Sequence, residues 1–491
     1  MSEKKNVKTL RTALDNLPYG DKNTDVRTFI RHSSHLPEGV TTGMIRRDVI
    51  AITWPSFVEL ILTQLTGMAD QIMVGRMPGQ EGVMGLSAVG IATQPKFMLM
   101  TIMMALNVGA TAVIARFRGQ QDRERVNRVF QQSLILNALL GLFFMIVGVI
   151  FAPQLLRFFA GSGLSDATFE RAVSYLTIQF YGFVPMVLTF TITAALRGVG
   201  DSRTPLIYNT TANVVNLIFN YIMIYGHFGF PAMGIVGASL ATIIGQTVAF
   251  IMAFIHIYGD KHYVYFSFRE RVHYDHVLMK NVINIGIPSM IEQLFMRGGM
   301  IIFTRTLTSL GDILYATHNV CMSIQSISFM MGQAFANATT TLTGQSLGKW
   351  RLDMSVKYAR ETEKLGVLAS AIASVLIIVF NRSIIGIFNS NPDVIAAGSG
   401  ILWLIALTLP IQSIQFILSG ALRGAGDTRF TAIVMIITVF VVRSVTVLLL
   451  VNVFNLGLWG AWIALMADQM IRTALIVWRF RSGKWALARK I

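Results

Sequence analysis

Apolar runs of about 20 or more residues recur about twelve times along this chain of 491 residues, and no other feature limits its fold so tightly. They lie near 48–75, 84–115, 129–152, 170–196, 204–226, 233–258, 279–308, 313–345, 361–381, 393–422, 430–453 and 457–479. A bilayer's hydrocarbon layer is about 30 Å thick, and a helix rising about 1.5 Å per residue crosses it in about 20 residues. Inside that layer each segment must satisfy its own backbone groups, so the expected architecture is an all-α, polytopic membrane protein of twelve spans. Only 13% of the residues are charged, against about 25% in soluble domains.

Orientation follows from the basic residues. Connectors on the side of the N-terminus carry eighteen Lys and Arg, among them Arg116, Arg123, Arg197, Lys261, Lys349, Arg351, Arg423 and Arg429. The other side holds Arg76, Arg157, Arg171, Arg305 and Arg382. This positive-inside bias places both termini in the cytoplasm of a cell whose plasma (inner) membrane the chain crosses, and it requires an even number of spans. The formal charge of +16 sits in these short connectors, so nucleic acid is not the expected partner; the bilayer is. The polar residues 1–45 lack the order of a secretory signal and read as a cytosolic arm. One cysteine, Cys321, permits no intrachain disulfide.

The chain also repeats itself. Pro-Ser-x-x-Glu occurs at Pro55 to Glu59 and at Pro288 to Glu292, 233 residues apart. Ala-Leu-Arg-Gly-x-Gly-Asp-[Ser/Thr]-Arg occurs at Ala195 to Arg203 and Ala421 to Arg429, 226 apart. Gly-x-x-Gly-Ala-x-x-Ala-x-x-x-x-Gln occurs at Gly234 to Gln246 and Gly457 to Gln469, 223 apart. The expected organisation is an arm (1–45), a first lobe (46–258), an inter-lobe linker (259–278), a second lobe (279–481) and a tail (482–491). Six spans per unit make the repeat parallel, with a pseudo-two-fold axis along the membrane normal and substrate at the seam.

Two polar stripes interrupt the apolar pattern. Glu59, Thr63, Thr66 and Asp70 follow at steps of four, three and four, which puts them on one face of the first span. A carboxylate at the centre of an inserted helix costs about 2.5–3.5 kcal/mol, so Asp70 should face the bundle interior or water. Asn209, Asn213, Asn216 and Asn220 repeat the same steps on the fifth span. Counting depth from the span ends brings Asp70, Asn216, Asn220 and Thr242 to one level. Hard oxygen ligands around a carboxylate suit Na⁺, and a desolvated carboxylate suits H⁺; both remain open. At the repeat offsets the second half has Phe303 for Asp70, and Met435, Val439, Val442 and Thr446 for the four asparagines. Blander readings stand beside these. Asp70 could sit at headgroup level, and the asparagines could be interhelical glue. Glu59 and Glu292 are either structural or cavity-lining, Arg297 and Arg443 could pair with acids such as Asp468, and His318 reads as a packed helix-end histidine.

The Leu-Arg-Gly-x-Gly-Asp loops, the Gly-x-x-Gly-Ala-x-x-Ala spans, Ala316 to Asn319 and the Met-Ala-Asp-Gln-Ile-Met-Val-Gly run at Met68 to Gly75 together resemble the multidrug and toxic compound extrusion (MATE) transporters. The resemblance implies twelve helices in two lobes, a V-shaped cavity, and export of cationic or amphipathic drug-like compounds against H⁺ or Na⁺. It implies that Asp70 corresponds to a first-helix cation aspartate, Asn216 and Asn220 to a fifth-helix pair, and Thr242 to a sixth-helix threonine. Glu292 lies one turn before a seventh-helix glutamate of some members, and Gln412 replaces their tenth-helix aspartate, which speaks against a second ion site.

The sequence therefore reads as a secondary antiporter, a monomer without cofactor, with a cation site at Asp70, Asn216, Asn220 and Thr242. Na⁺, if it is the ion, would meet Asp70, Asn216 and Asn220. Glu59, Thr63, Thr66, Asn213, Glu292 and Gln412 are the candidate cavity residues. No Walker sequence and no metal-spaced His/Cys cluster is present, so an ion gradient must drive transport. A lipid-linked oligosaccharide flippase is the first alternative, favoured by fourteen spans or a cationic central cavity. An intramembrane enzyme, with Glu59 and Glu292 as an acid pair, is the second.

Overall fold

The computed structural model describes residues 39–78, 80–160, 165–267, 274–308, 310–388 and 392–487. The expected arm (1–45) lies outside them up to residue 38, as do 268–273 of the expected linker and 488–491 of the tail. Twelve long helical segments fill the described chain. They are α1 (Thr42–Gly75), α2 (Gln80–Gly119), α3 (Arg123–Ile150), the pair α5 (Asp166–Tyr181) and α6 (Phe183–Val199), α7 (Arg203–Tyr225) and α8 (Gly234–Ile257). The second series is α9 (His276–Thr308), α10 (Asp312–Gly348), α11 (Leu352–Val379), α13 (Pro392–Gly424), α14 (Thr428–Val453) and α15 (Gly457–Arg481). Short helices follow the third span of each series: α4 (Ala152–Ala160) and α12 (Asn381–Phe388).

Eight of the long helices are long and apolar enough to cross a membrane, or nine with the bent pair counted as one span. The chain is an all-α, multi-pass membrane protein. The three long helices that fall short, α7, α9 and α10, carry polar side chains along their length, such as the asparagine stripe of α7. The structure departs from the expected spans in two places. The fourth is bent by 50° at Gly182, where a Cβ would lie 2.6 Å from Ile243. The eleventh is π-helical over Ile436–Arg443 and Leu449–Val453, and such insertions concentrate at functional positions.

The chain forms two compact units. One is Val58–Ile114 with Asp122–Ile283; the other takes in the described parts of Met1–Phe57, Ala115–Gln121 and Asn284–Ile491. In the second unit the start of α1 is tied down: Arg46 Nε pairs with Glu361 at 3.0 Å and Tyr358 donates to Asp48 at 2.7 Å. The last turn of α2 belongs there too. A Cβ on Gly119 would lie 2.0 Å from the carbonyl of Gln345, and one on Gly348 would lie 2.0 Å from that of Arg116. Backbone can approach so closely only where both residues lack side chains. In the first unit the connector after α8 docks on α3. Arg123 donates to the carbonyls of Asp260 and His262, each at 2.7 Å, and Asn127 bonds Tyr263 and Tyr265.

The repeated motifs fold alike. Gly200 and Gly426 end their helices with φ of 96° and 84°, the left-handed region that only glycine adopts without strain. Asp201 then accepts from the backbone N–H of Arg203 and Thr204, while Asp427 accepts from Arg479 Nε at 2.7 Å. The Arg-Gly-x-Gly-Asp loop is thus a helix stop and restart.

Candidate functional site

In the first unit the two polar stripes meet. Both run at steps of four, three and four, and α1 and α7 meet along them in register, residue i bonding residue i+150. Asn209 Nδ2 donates to Glu59 Oε1 at 2.7 Å, Asn213 Nδ2 to Thr63 Oγ1 at 3.3 Å, and Asn220 Nδ2 to Asp70 Oδ1 at 2.5 Å. The remaining rung does not form. Thr66 turns to the carbonyl of its own helix at Leu62, 2.9 Å away, which is how a buried threonine satisfies itself within a span. Asn216 is left to the cluster below: with its amide turned so that both ends are satisfied, it donates to Asp70 Oδ1 at 3.0 Å and accepts from the Thr242 N–H at 3.2 Å.

The two ends of this ladder differ in charge balance. Glu59 is neutralised: Arg197 Nη2, from the Leu-Arg-Gly loop, lies 2.8 Å from each carboxylate oxygen. Asp70 has only amide partners among the described residues. Asn220 is fully buried, and its own Oδ1 has no hydrogen-bond partner. A half-buried carboxylate, a donated amide and an unused buried carbonyl oxygen form an environment with oxygen ligands to spare.

The second unit uses the same scaffold differently. Glu292 accepts from Arg423 Nη2 at 2.5 Å and from Thr431 at 3.2 Å, so the duplicated acid and the duplicated loop arginine again pair. Where Asp70 would be, Phe303 is buried among apolar side chains. A different acid appears on another helix. Asp468 of α15 is fully buried and held by two arginines, Arg443 Nη2 at 2.5 Å and Arg472 Nη2 at 2.5 Å and 2.6 Å. Arg443 ends the first π-helical stretch of α14, and Arg472 also donates to Thr438 at 3.2 Å. Beside them opens a cavity of about 320 Å³, lined in part by Glu292, Arg297 and Gln412.

A family model described as MatE matches the chain twice, over residues 55–222 and 288–449. The chain belongs to the MATE family. Its relatives include the probable multidrug resistance protein NorM of Thermotoga maritima, 30% identical over 448 residues that cover 90% of this chain and 93% of that protein. The transporter YisQ of Bacillus subtilis is 26% identical over 89% of this chain and 94% of its own length. Among solved structures, a multidrug resistance MATE transporter in its outward-facing conformation superposes with a TM-score of 0.82 over 92% of this chain and 100% of its own, at 22% identity. A MATE protein in its bent conformation gives 0.81 over 95% and 100%, at 21%. At those identities the likeness speaks for the fold. MATE proteins are transporters, and the double match restates the internal repeat.

On this MATE scaffold the residues singled out by sequence fall into three groups. Asp70, Asn216, Asn220 and Thr242 come together. Glu59, Thr63 and Asn213 belong to the ladder beside them, and Thr66 stands apart. Glu292 and Gln412 line the second-unit cavity. His318 is buried within ring-contact distance of Phe303 and Trp462, as a packed histidine would be. Two in-span cations that the structure brings into polar contacts did not stand out in the sequence. Arg472 sits four residues after Asp468, close enough to the basic end of α15 to pass for a headgroup anchor. Lys96 is a lone lysine within α2 whose Nζ donates to Gln179 Oε1 at 2.5 Å. Its position inside an apolar span was the signal.

Proposed function

We propose that this MATE transporter is an ion-driven antiporter that exports drug-like amphipathic compounds and binds its coupling H⁺ or Na⁺ at Asp70. The observation that carries this reading is the pairing of Asp70 with Asn220, whose second amide atom is buried without a partner. A proton on Asp70 would turn the carboxylate into a donor, and Na⁺ would use the same oxygens as ligands. Either ion alters the bonding between α1 and α7 at one end of their ladder. Because Glu59 and Arg197 clamp the other end, the change is confined to the level of Asp70, Asn216 and Thr242.

An ion can shift two conformations only by binding one more tightly than the other. One charge moved through 100 mV supplies about 2.3 kcal/mol, and one pH unit about 1.4 kcal/mol, enough for tens- to hundreds-fold accumulation. On this reading the transporter works as a monomer in the inner membrane with both termini in the cytoplasm, as the eighteen basic residues on that side favour. The flippase alternative gains one point from the arginines of the second unit and loses one from the count of twelve long segments.

The test is efflux of a fluorescent organic compound from vesicles, with Na⁺ and H⁺ gradients imposed separately. Asp70→Asn is expected to insert normally and to lose gradient-driven efflux. Wild-type efflux by that variant would remove the mechanism.

A further inference from the structure

We infer that the cavity of the second unit binds the charged group of an amphipathic organic anion, a ligand opposite in sign to the cationic cargo implied by family resemblance. The inference concerns equilibrium binding and stands apart from coupling at Asp70.

The charge balance carries it. Four arginines line the cavity, Arg297, Arg423, Arg443 and Arg472, and Glu292 is the carboxylate that lines it with them. Glu292 is matched by Arg423. Asp468 lies behind Arg443 and Arg472 and can neutralise one of them. A structural ion pair needs one guanidinium per carboxylate. A second one, more than nine-tenths buried in a span, adds desolvation without a counter-charge. The excess calls for an anion from outside the fold.

The donors are also directed for one. Arg443 commits Nε and Nη2 to Asp468, while Nη1 meets the thioether of Met300 at 3.8 Å, a weak acceptor for a charged donor. Guanidinium groups with an open edge bind carboxylate, sulfonate or phosphate oxygens in pairs. Gln412 lines the same space, and Phe416, Trp462 and Met466 supply an apolar wall for the rest of the ligand. The first half has no counterpart: at the repeat offset Asp468 and Arg472 correspond to Gly245 and Ala249. The cationic cluster is therefore a departure within the duplicated scaffold, built on a helix turned π at Arg443.

The test uses three probes with one apolar body: dansylglycine (anionic), dansylglycinamide (neutral) and dansylcadaverine (cationic). Each is dialysed to equilibrium against the full-length protein in phosphatidylcholine nanodiscs, with empty nanodiscs as the blank. Dansylglycine should bind about 10- to 100-fold more tightly than the amide, the range of a charge-assisted hydrogen bond, and dansylcadaverine more weakly still. Arg472→Gln removes the surplus charge and leaves Arg443 paired with Asp468, so it should weaken dansylglycine by about tenfold or more while thermal stability holds or rises. Should that variant fail to fold, Arg443→Gln removes the other guanidinium, leaves Arg472 paired with Asp468 and reads the same loss. Repeating the series in phosphatidylglycerol nanodiscs separates the two sources of anion: competition there assigns the site to a lipid headgroup, and undiminished binding assigns it to a soluble compound. Equal or tighter binding of the neutral or cationic probe, or dansylglycine affinity unchanged in both variants, would overturn the inference. A failure of Asp70→Asn to block efflux would leave these results untouched.

Discussion

The two halves of this transporter share a scaffold and differ in what they do with a buried acid. In each, the glutamate of Pro-Ser-x-x-Glu is tied to the arginine of Leu-Arg-Gly: Glu59 to Arg197 and Glu292 to Arg423. That clamp joins the first helix of the unit to the end of the fourth, and its duplication marks it as architecture. The remaining acids diverge. Asp70 is bonded to amides, and Asp468 is shared between two guanidinium groups. A carboxylate with neutral partners can exchange its proton or ion without breaking a salt bridge. A carboxylate locked to two arginines cannot, and what it leaves behind is positive charge facing a cavity. One duplication thus holds one acid among amides and the other between two guanidinium groups.

The largest test of that contrast is Asp468→Asn against Asp70→Asn. Removing the Asp468 charge strands Arg443 and Arg472, and about 3–5 kcal/mol of stability should be lost, read as a drop in thermal unfolding temperature in detergent. Asp70→Asn keeps an amide-to-amide contact and should change stability by less than about 1 kcal/mol. Equal losses would mean that both acids are structural and the contrast is false. Next come the clamps. Glu59→Gln and Glu292→Gln should each lose about 1.5–3 kcal/mol, and by similar amounts, since each removes a charged hydrogen-bond acceptor from a buried arginine. A large inequality between them would show that one glutamate does something beyond holding its helix. The smallest effect concerns the loops. Gly200→Ala and Gly426→Ala force a side chain into the left-handed region and should cost about 1–2 kcal/mol each without altering efflux.

Much of the fold was legible because its signals are local. Span length and the repeats read directly, and ten of the twelve expected spans are single regular helices over the expected stretches. The 4-3-4 stripes of α1 and α7 read as faces, and the four residues expected at one depth do meet. Their common register of 150 residues did not read, because periodicity sets which side of a helix is polar and says nothing about which neighbour it meets. Arg472 was invisible for the same reason: its meaning depends on Arg443, which reaches Asp468 from a different helix. The bend at Gly182 and the π-helical stretches are responses to packing and leave no periodic trace.

By itself, then, the sequence settled the solvent, the number of spans, the duplication and the faces that carry polar groups, because each is decided by residues within one helix. Only the tertiary structure decided which acids are neutralised and which are not. Arginine and carboxylate meet across helices more than a hundred residues apart in the clamps, and the net charge of a buried site is a property of that meeting.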